Sequence, residues 1–112
     1  MPLLHVERLE QDGWIVLLVR GQLDVATAPQ FRQSLVEAQY GGGRRVAVDL
    51  EGVEFIDSMG LGVLVGALKR ARADEGRLVL VTGRERTLRL LELTGLDRVL
   101  EVVPTLAEAT AD

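Results

Sequence analysis

Three short segments of this 112-residue chain hold the side chains best suited to chemistry: Gly21-Gln22-Leu23-Asp24, Asp57-Ser58 and Thr82-Gly83. Ser58 stands at a junction, with apolar Val53 to Ile56 before it and an apolar, helix-periodic stretch after it. There its hydroxyl can serve as a helix N-cap and face solvent. A serine nucleophile also needs a base within hydrogen-bond reach. The only histidine, His5, falls in the first strand, the only lysine, Lys69, falls inside a helix, and neither suits that task. The nucleophile elbow Gly-x-Ser-x-Gly is half present, because Ile56 stands where its first glycine belongs. Asp24, Asp49 and Asp57 could gather around Mg²⁺ as in a phosphoaspartate receiver, or simply cap turns and helices. A receiver also requires a lysine at the end of a late strand, which this chain lacks.

Composition narrows the classes further. With no cysteine, disulfides, thiolate nucleophiles, iron–sulfur clusters and Cys-type zinc sites are excluded, and one histidine cannot make a multi-His metal site. No cofactor or metal is expected. Thirteen basic against seventeen acidic residues leave a net charge of −4, with few aromatics, a poor match for nucleic acid or an anionic membrane. The longest apolar run, Trp14 to Val19, is far short of the ~20 residues of a membrane span, and the opening residues lack a leader's basic stretch and long apolar core. Leu, Ile, Val and Phe make up roughly a third of the chain, enough for a core. These features point to one small cytoplasmic domain over residues 1–112.

The elements that must position the three segments follow from periodicity. Leu4 and Val6 alternate with polar neighbours, and Asp12-Gly13 is a tight-turn signal before Trp14 to Val19, so the chain should open with a β-hairpin. Thr27 and Gln30 resemble a capping box ahead of a helix whose stripe is Ala28, Phe31, Leu35 and Ala38. Gly41-Gly42-Gly43 should end that helix as a connector, since no Gly-Lys-Ser/Thr follows to make a phosphate loop. A third strand is expected at Val46 to Leu50, continuing through Val53 to Ile56, and a helix from Ser58 to Asp74. Leu78 to Val81 and Val99 to Val103 read as the last two strands. Between them Thr87 to Leu93 is a short helix ended by Gly95, and Thr105 with Glu108 caps a final one. After the hairpin the order is β-α-β-α-β-α-β, an α/β chain with right-handed crossovers and a mixed, mostly parallel five-stranded sheet. Such sheets carry their sites beyond the strands' carboxyl ends, where all three segments fall.

The helix after Ser58 is unusual. Gly60, Gly62 and Gly66 each cost up to ~1 kcal/mol relative to alanine in its opening turns. Leu61, Leu64, Val65 and Leu68 form a stripe for the sheet, while Met59, Val63 and Ala67 lie mainly off it. No charge appears before Lys69. The helix is either buried between neighbours or presents a small, smooth, apolar docking surface beside the serine.

Asp57-Ser58-Met59-Gly60-Leu61-Gly62 resembles the phosphorylatable motif of bacterial anti-sigma factor antagonists, the single-domain members of the STAS family. Gly21 to Asp24 is similar to that family's Gly-Glu-Leu-Asp, with Gln22 in place of the usual Glu, and Met59 stands where Ser, Thr or Ala is common. Asp49-Leu50, Val53 to Ile56 and Leu93-Thr94-Gly95-Leu96 also match in order. The resemblance implies a STAS-type fold with about four helices and a non-enzymatic protein-binding switch. In that cycle the unphosphorylated antagonist binds an anti-sigma factor that is also a serine kinase. Phosphorylation of the antagonist ends the binding, and a metal-dependent serine phosphatase restores it. By the same resemblance Ser58 is the phosphoacceptor, and Asp24 and Asp57 match positions tied to partner binding or phosphorylation. Met59, Gly60, Gly62 and Val63 complete the expected contact surface. A STAS scaffold or sensor subunit without a phosphorylation cycle is the alternative, and a serine hydrolase or a nucleotide-binding domain a weaker one. Arg84, Arg86 and Arg89 are expected on solvated helix faces, or else near Ser58 against an acidic partner surface.

Overall fold

In the computed structural model, which describes residues 3–41 and 44–111, five strands form one sheet in the order β1-β2-β3-β4-β5. Gly42, Gly43, Met1 and Pro2 lie outside the described residues, so the connector role of the triple glycine rests on Gly41 alone, which ends the first helix. β1 (Leu4–Gln11) and β2 (Trp14–Leu23) are antiparallel, and Asp12 and Gly13, with φ of 53° and 83°, make the two-residue turn between them. β3 (Arg45–Ile56), β4 (Arg77–Val81) and β5 (Glu101–Val103) follow in parallel.

Because every crossover advances the same way along the sheet, right-handedness places the crossover helices on one face. These are α1 (Ala28–Tyr40), α2 (Ser58–Ala73) and α3 (Glu85–Leu93), with a one-turn 3₁₀ helix at Leu96–Arg98 after α3. Under them lies the main core, with Ile15, Leu17 and Val19 of β2 and Val46, Val48 and Leu50 of β3 meeting Phe31, Leu35 and Leu64. The other face carries a smaller cluster of Trp14, Val16, Ala47, Val79 and Val81, covered by α4 (Leu106–Ala109) through Ala109 and Leu106. Arg77 lies over the Trp14 ring, 5.4 Å from its centroid. The two-sided cover explains why β2 reads as an unbroken apolar run. Among the described residues no helix is long and apolar enough to cross a membrane.

β3 departs from a regular ladder twice. Leu18 pairs with Asp49 and Arg20 with Gly52, then Gly21 pairs with Val53 and Gln22 with Phe55, so β3 carries one extra residue at each shift. The two expected pieces of the third strand are therefore one strand. Val53 and Ile56 both return to the buried side, whereas Glu54 and Phe55 stay exposed. Gly21 sits at φ 114°, where a side chain would collide with the Leu3 carbonyl.

Several local expectations change. The Thr27–Gln30 capping box does not form: the Thr27 hydroxyl donates instead to the Gln22 carbonyl at 2.7 Å, and Gln30 donates to the Leu4 carbonyl at 3.3 Å. α3 begins at Glu85, two residues early, and β5 begins at Glu101 because Leu96–Arg98 is taken up by the 3₁₀ turn. Gly95 does end α3 in the left-handed conformation, at φ 75°, and the Thr105 hydroxyl accepts from the Glu108 N–H. The buried stripe of α2 is Gly60, Leu61, Leu64, Ala67 and Ala71. Ala67, expected off the stripe, is buried because α1 packs beside α2 there and Gln39 donates to the Ala67 carbonyl at 2.8 Å. Val65, expected on the stripe, is left half-buried.

Candidate functional site

The carboxyl ends of β2 and β3 lie side by side, with Leu23 paired to Ile56. The next residue, Asp57, donates its backbone N–H to the Leu23 carbonyl at 3.0 Å, which sets it beside Asp24. Asp57 is extended, and its Oδ1 accepts from the N–H groups of Met59 at 2.9 Å and Gly60 at 3.2 Å. The N-cap of α2 is thus Asp57 and not Ser58. The hydrogen bond to Leu23 holds Asp57 extended, so the cap falls one position earlier than expected. Ser58 becomes the first helical residue, exposed, and no described residue hydrogen-bonds its hydroxyl.

Asp24 works in the same way. Its Oδ1 accepts from the N–H groups of Ala26 at 3.0 Å and Thr27 at 3.2 Å, while its own N–H donates to the Thr27 hydroxyl at 3.0 Å. Both aspartates are half-buried and spend one carboxylate oxygen on the backbone, leaving Oδ2 unbonded to any described residue. Buried Thr27 is a structural member of the site that sequence reading misassigned. The signal was available in Asp-x-x-Thr, a turn in which each residue satisfies the other's backbone.

The glycines of α2 divide. A Cβ on Gly60 would stand 2.9 Å from Leu23 Cβ and 3.0 Å from both Ile56 Cγ1 and the Leu23 carbonyl oxygen. Gly60, expected on the contact surface, is instead buried beneath the helix, and lets the first turn close onto the sheet. A Cβ on Gly62 would meet nothing within 4 Å. Gly62 is exposed, next to half-buried Val63, and Met59 is 50% exposed. The opening turns of α2 are therefore not buried all round. Ser58, Met59, Gly62 and Val63 form an open, uncharged surface. Val25, 68% exposed in the turn after Asp24, is a further exposed apolar side chain that the sequence reading passed over. An apolar residue in a turn where Gly, Asn or Pro is usual was its only sign.

The third segment plays another part. Buried Thr82 accepts from the Arg84 N–H at 3.2 Å, and the Glu51 carboxylate accepts from the Gly83 N–H. Arg84 Nε donates to the Glu51 carbonyl at 2.6 Å, so these residues tie the β4–α3 loop to β3. Arg70, farther along α2, donates to Gln39 at 2.9 Å; burial, then the charge of Arg32, hold its pKa below the usual arginine value, against an opposing pull from Tyr40. Among the described residues no group of three or more His, Asp or Glu could hold a metal ion. Asp49 uses Oδ1 on the Glu51 N–H, 2.9 Å away. His5 is exposed and alternates with core residue Leu4, so it points to the sheet face opposite α2 and cannot act as a base for Ser58.

Comparison with known proteins places this geometry in context. The model of the STAS domain matches residues 5–109. The anti-sigma-B factor antagonist of Staphylococcus aureus strain NCTC 8325 / PS 47 is 36% identical over 99 residues, covering 88% of this chain and 92% of that protein. The anti-sigma-B factor antagonist of Listeria monocytogenes is 38% identical over 100 residues, covering 88% of each. The crystal structure of an anti-sigma factor antagonist from Mycobacterium paratuberculosis superposes with a TM-score of 0.89 at 30% identity, over 96% of this chain and 92% of that one.

Proposed function

Since the chain belongs to the STAS domain family, we propose that it is an anti-sigma factor antagonist, a single STAS domain that works by binding and performs no catalysis of its own. In its unphosphorylated form it holds an anti-sigma factor that is also a serine kinase. Phosphorylation of Ser58 by that kinase ends the complex, and a metal-dependent serine phosphatase resets it. ATP and metal belong to those partner enzymes.

One observation carries this reading: an exposed serine whose hydroxyl no described residue engages opens α2, beside exposed Met59 and a Gly62 that no described residue covers. The serine is accessible to a kinase, and its helix terminus tolerates the product, because the helix dipole favours an anion there. Docking is what this surface supports. Gly62 lets a partner's surface come close to the backbone, with exposed Met59 beside it and Val63, Asp24 and Asp57 at the margin. A phosphate adds roughly −1.5 to −2 charges and bulk to that surface. It also sets a dianion next to Asp57.

The test is mass spectrometry after incubation of the protein with ATP and each anti-sigma kinase of its own genome. One phosphate localised to Ser58, with loss of binding on a sizing column, is the expected result. Stable binding without phosphate transfer by any of these kinases would instead favour a scaffold.

A further inference from the structure

A second surface lies close to the first. A groove of about 340 Å³ runs between the end of β3 and α3. It is lined by buried Ile56 and half-buried Leu90, together with Phe55 and Leu93, which are 47% and 70% exposed. Large apolar side chains left this open mark an interaction site more often than chance exposure. Phe55 faces outward because β3 carries an extra residue just before it.

The groove is also basic on one side. Arg86, Arg89, Leu90 and Leu93 recur at i, i+3, i+4 and i+7, so α3 turns one stripe toward it, cationic first and apolar after. No described residue forms an ion pair or hydrogen bond with Arg86 or Arg89, although Glu85 and Glu92 share their helix. Arg84, in contrast, is committed to Glu51. Glu54 is the one acidic residue of the lining. In a chain of net charge −4, the lining of this groove is net positive, with two uncommitted guanidiniums against one carboxylate. Their complement is a surface carrying carboxylates next to a large apolar side chain, since guanidinium pairs with carboxylate through two parallel hydrogen bonds. A nucleic acid or an anionic membrane needs a run of phosphate contacts, and two guanidiniums beside an apolar trough are too few to supply it.

The groove joins the Ser58 platform through one side chain. Ile56 lines the groove, and its Cγ1 lies 3.0 Å from where a Gly60 Cβ would stand under the first turn of α2. Resting on the function proposed above, we propose that the groove is a second seat for the anti-sigma partner. It receives an acidic segment of that partner, with a large apolar side chain against Ile56 and Leu90 and carboxylates on Arg86 and Arg89. The α2 platform then supplies the phosphorylation-sensitive contact, and the groove supplies partner choice and charge-steered association.

Calorimetry of the full chain against its anti-sigma kinase tests this, using Arg86→Glu/Arg89→Glu, Leu93→Ser and Gly62→Leu, all at exposed positions. The double reversal should weaken binding ten- to a hundredfold and flatten its salt dependence, and Leu93→Ser should cost roughly tenfold. Methyl resonances of Leu90 and Leu93 should shift when the partner is added. Unchanged affinity in the double reversal, with binding lost in Gly62→Leu, overturns the groove and leaves the proposed function standing. Wild-type protein that binds no anti-sigma factor overturns both. Leucine shifts produced by raising the chain's own concentration, with a dimer in sedimentation that the double reversal abolishes, would assign the groove to a second copy and also overturn the proposal.

Discussion

Gly62→Ala should make this protein more stable and a poorer binder at once. Glycine inside a helix costs ~0.8–1.0 kcal/mol relative to alanine, through lost backbone entropy and missing side-chain cover. At Gly62 nothing offsets a gain of that size, because an added Cβ meets no atom within 4 Å. The substitution should therefore stabilise by about 1 kcal/mol and raise the melting temperature by ~4 °C in a domain of this size. Gly60→Ala is the control. There the same propensity gain is opposed by contacts of 2.9 and 3.0 Å, one of them to the Leu23 backbone, and overpacking costs ~1–3 kcal/mol. Its net effect should run from about zero to a loss of ~2 kcal/mol. Thermal melts followed by circular dichroism read the first half of the prediction. Calorimetric titration with the anti-sigma kinase reads the second, where Gly62→Ala should weaken binding and Gly62→Leu weaken it further. A Gly62→Ala protein that melts lower than wild type would refute the open-space reading. One that melts higher while both variants bind like wild type would refute the idea that bare backbone is kept there for a partner.

Ser58→Ala should leave stability within ~0.5 kcal/mol of wild type, because Asp57 caps α2, and should block phosphate transfer while keeping partner binding; a chemical melt and intact-mass analysis check both. Asp57→Ala should lose the cap at ~0.5–2 kcal/mol, whereas Asp57→Asn should keep it, so a comparison of their urea midpoints separates capping from charge. Phosphorylation should leave the far-ultraviolet spectrum and melting curve nearly unchanged while affinity collapses. Burying the dianion unpaired costs several kcal/mol, and ~4 kcal/mol is already about a thousandfold. A gross loss of helix on phosphorylation would refute a local surface mechanism. Thr27→Val should destabilise by ~1–3 kcal/mol in a urea titration, since it strands the Asp24 N–H and the Gln22 carbonyl together.

Much of this architecture was legible because the chain alternates strand and helix periods cleanly. The hairpin, the parallel order and the edge where Asp24 meets Asp57-Ser58 all follow from spacing and from crossover handedness. What stayed hidden depends on register. Asp and Ser cap helices about equally well, so only the hydrogen bond from the Asp57 N–H to the Leu23 carbonyl decides which residue opens α2. Gly60 and Gly62 are alike in sequence and opposite in surroundings, and the difference is a matter of which way each points from a helix already docked. Ala67 and Val65 exchanged roles for a similar reason: α1 packs beside α2 and widens the buried arc on that side. The groove was hardest to foresee, since it depends on an irregular strand facing a nine-residue helix.

The two register shifts in β3 have a bearing on how such a protein diversifies. Each gives the strand one residue more than β2 needs, and the surplus falls around Glu51 and around Glu54-Phe55. Glu51 holds the β4–α3 loop, and Phe55 walls the groove. Losing a surplus residue would make the ladder regular at that shift without moving Val53, Ile56 or Asp57 to the other face. Small deletions and insertions, ordinarily ruinous inside a strand, thus become a permitted kind of variation here. A lineage carrying duplicate copies of the gene could reshape the groove through chain length while the serine, its cap and the bare helix face are inherited intact. Partner identity and the on–off chemistry could then diverge independently.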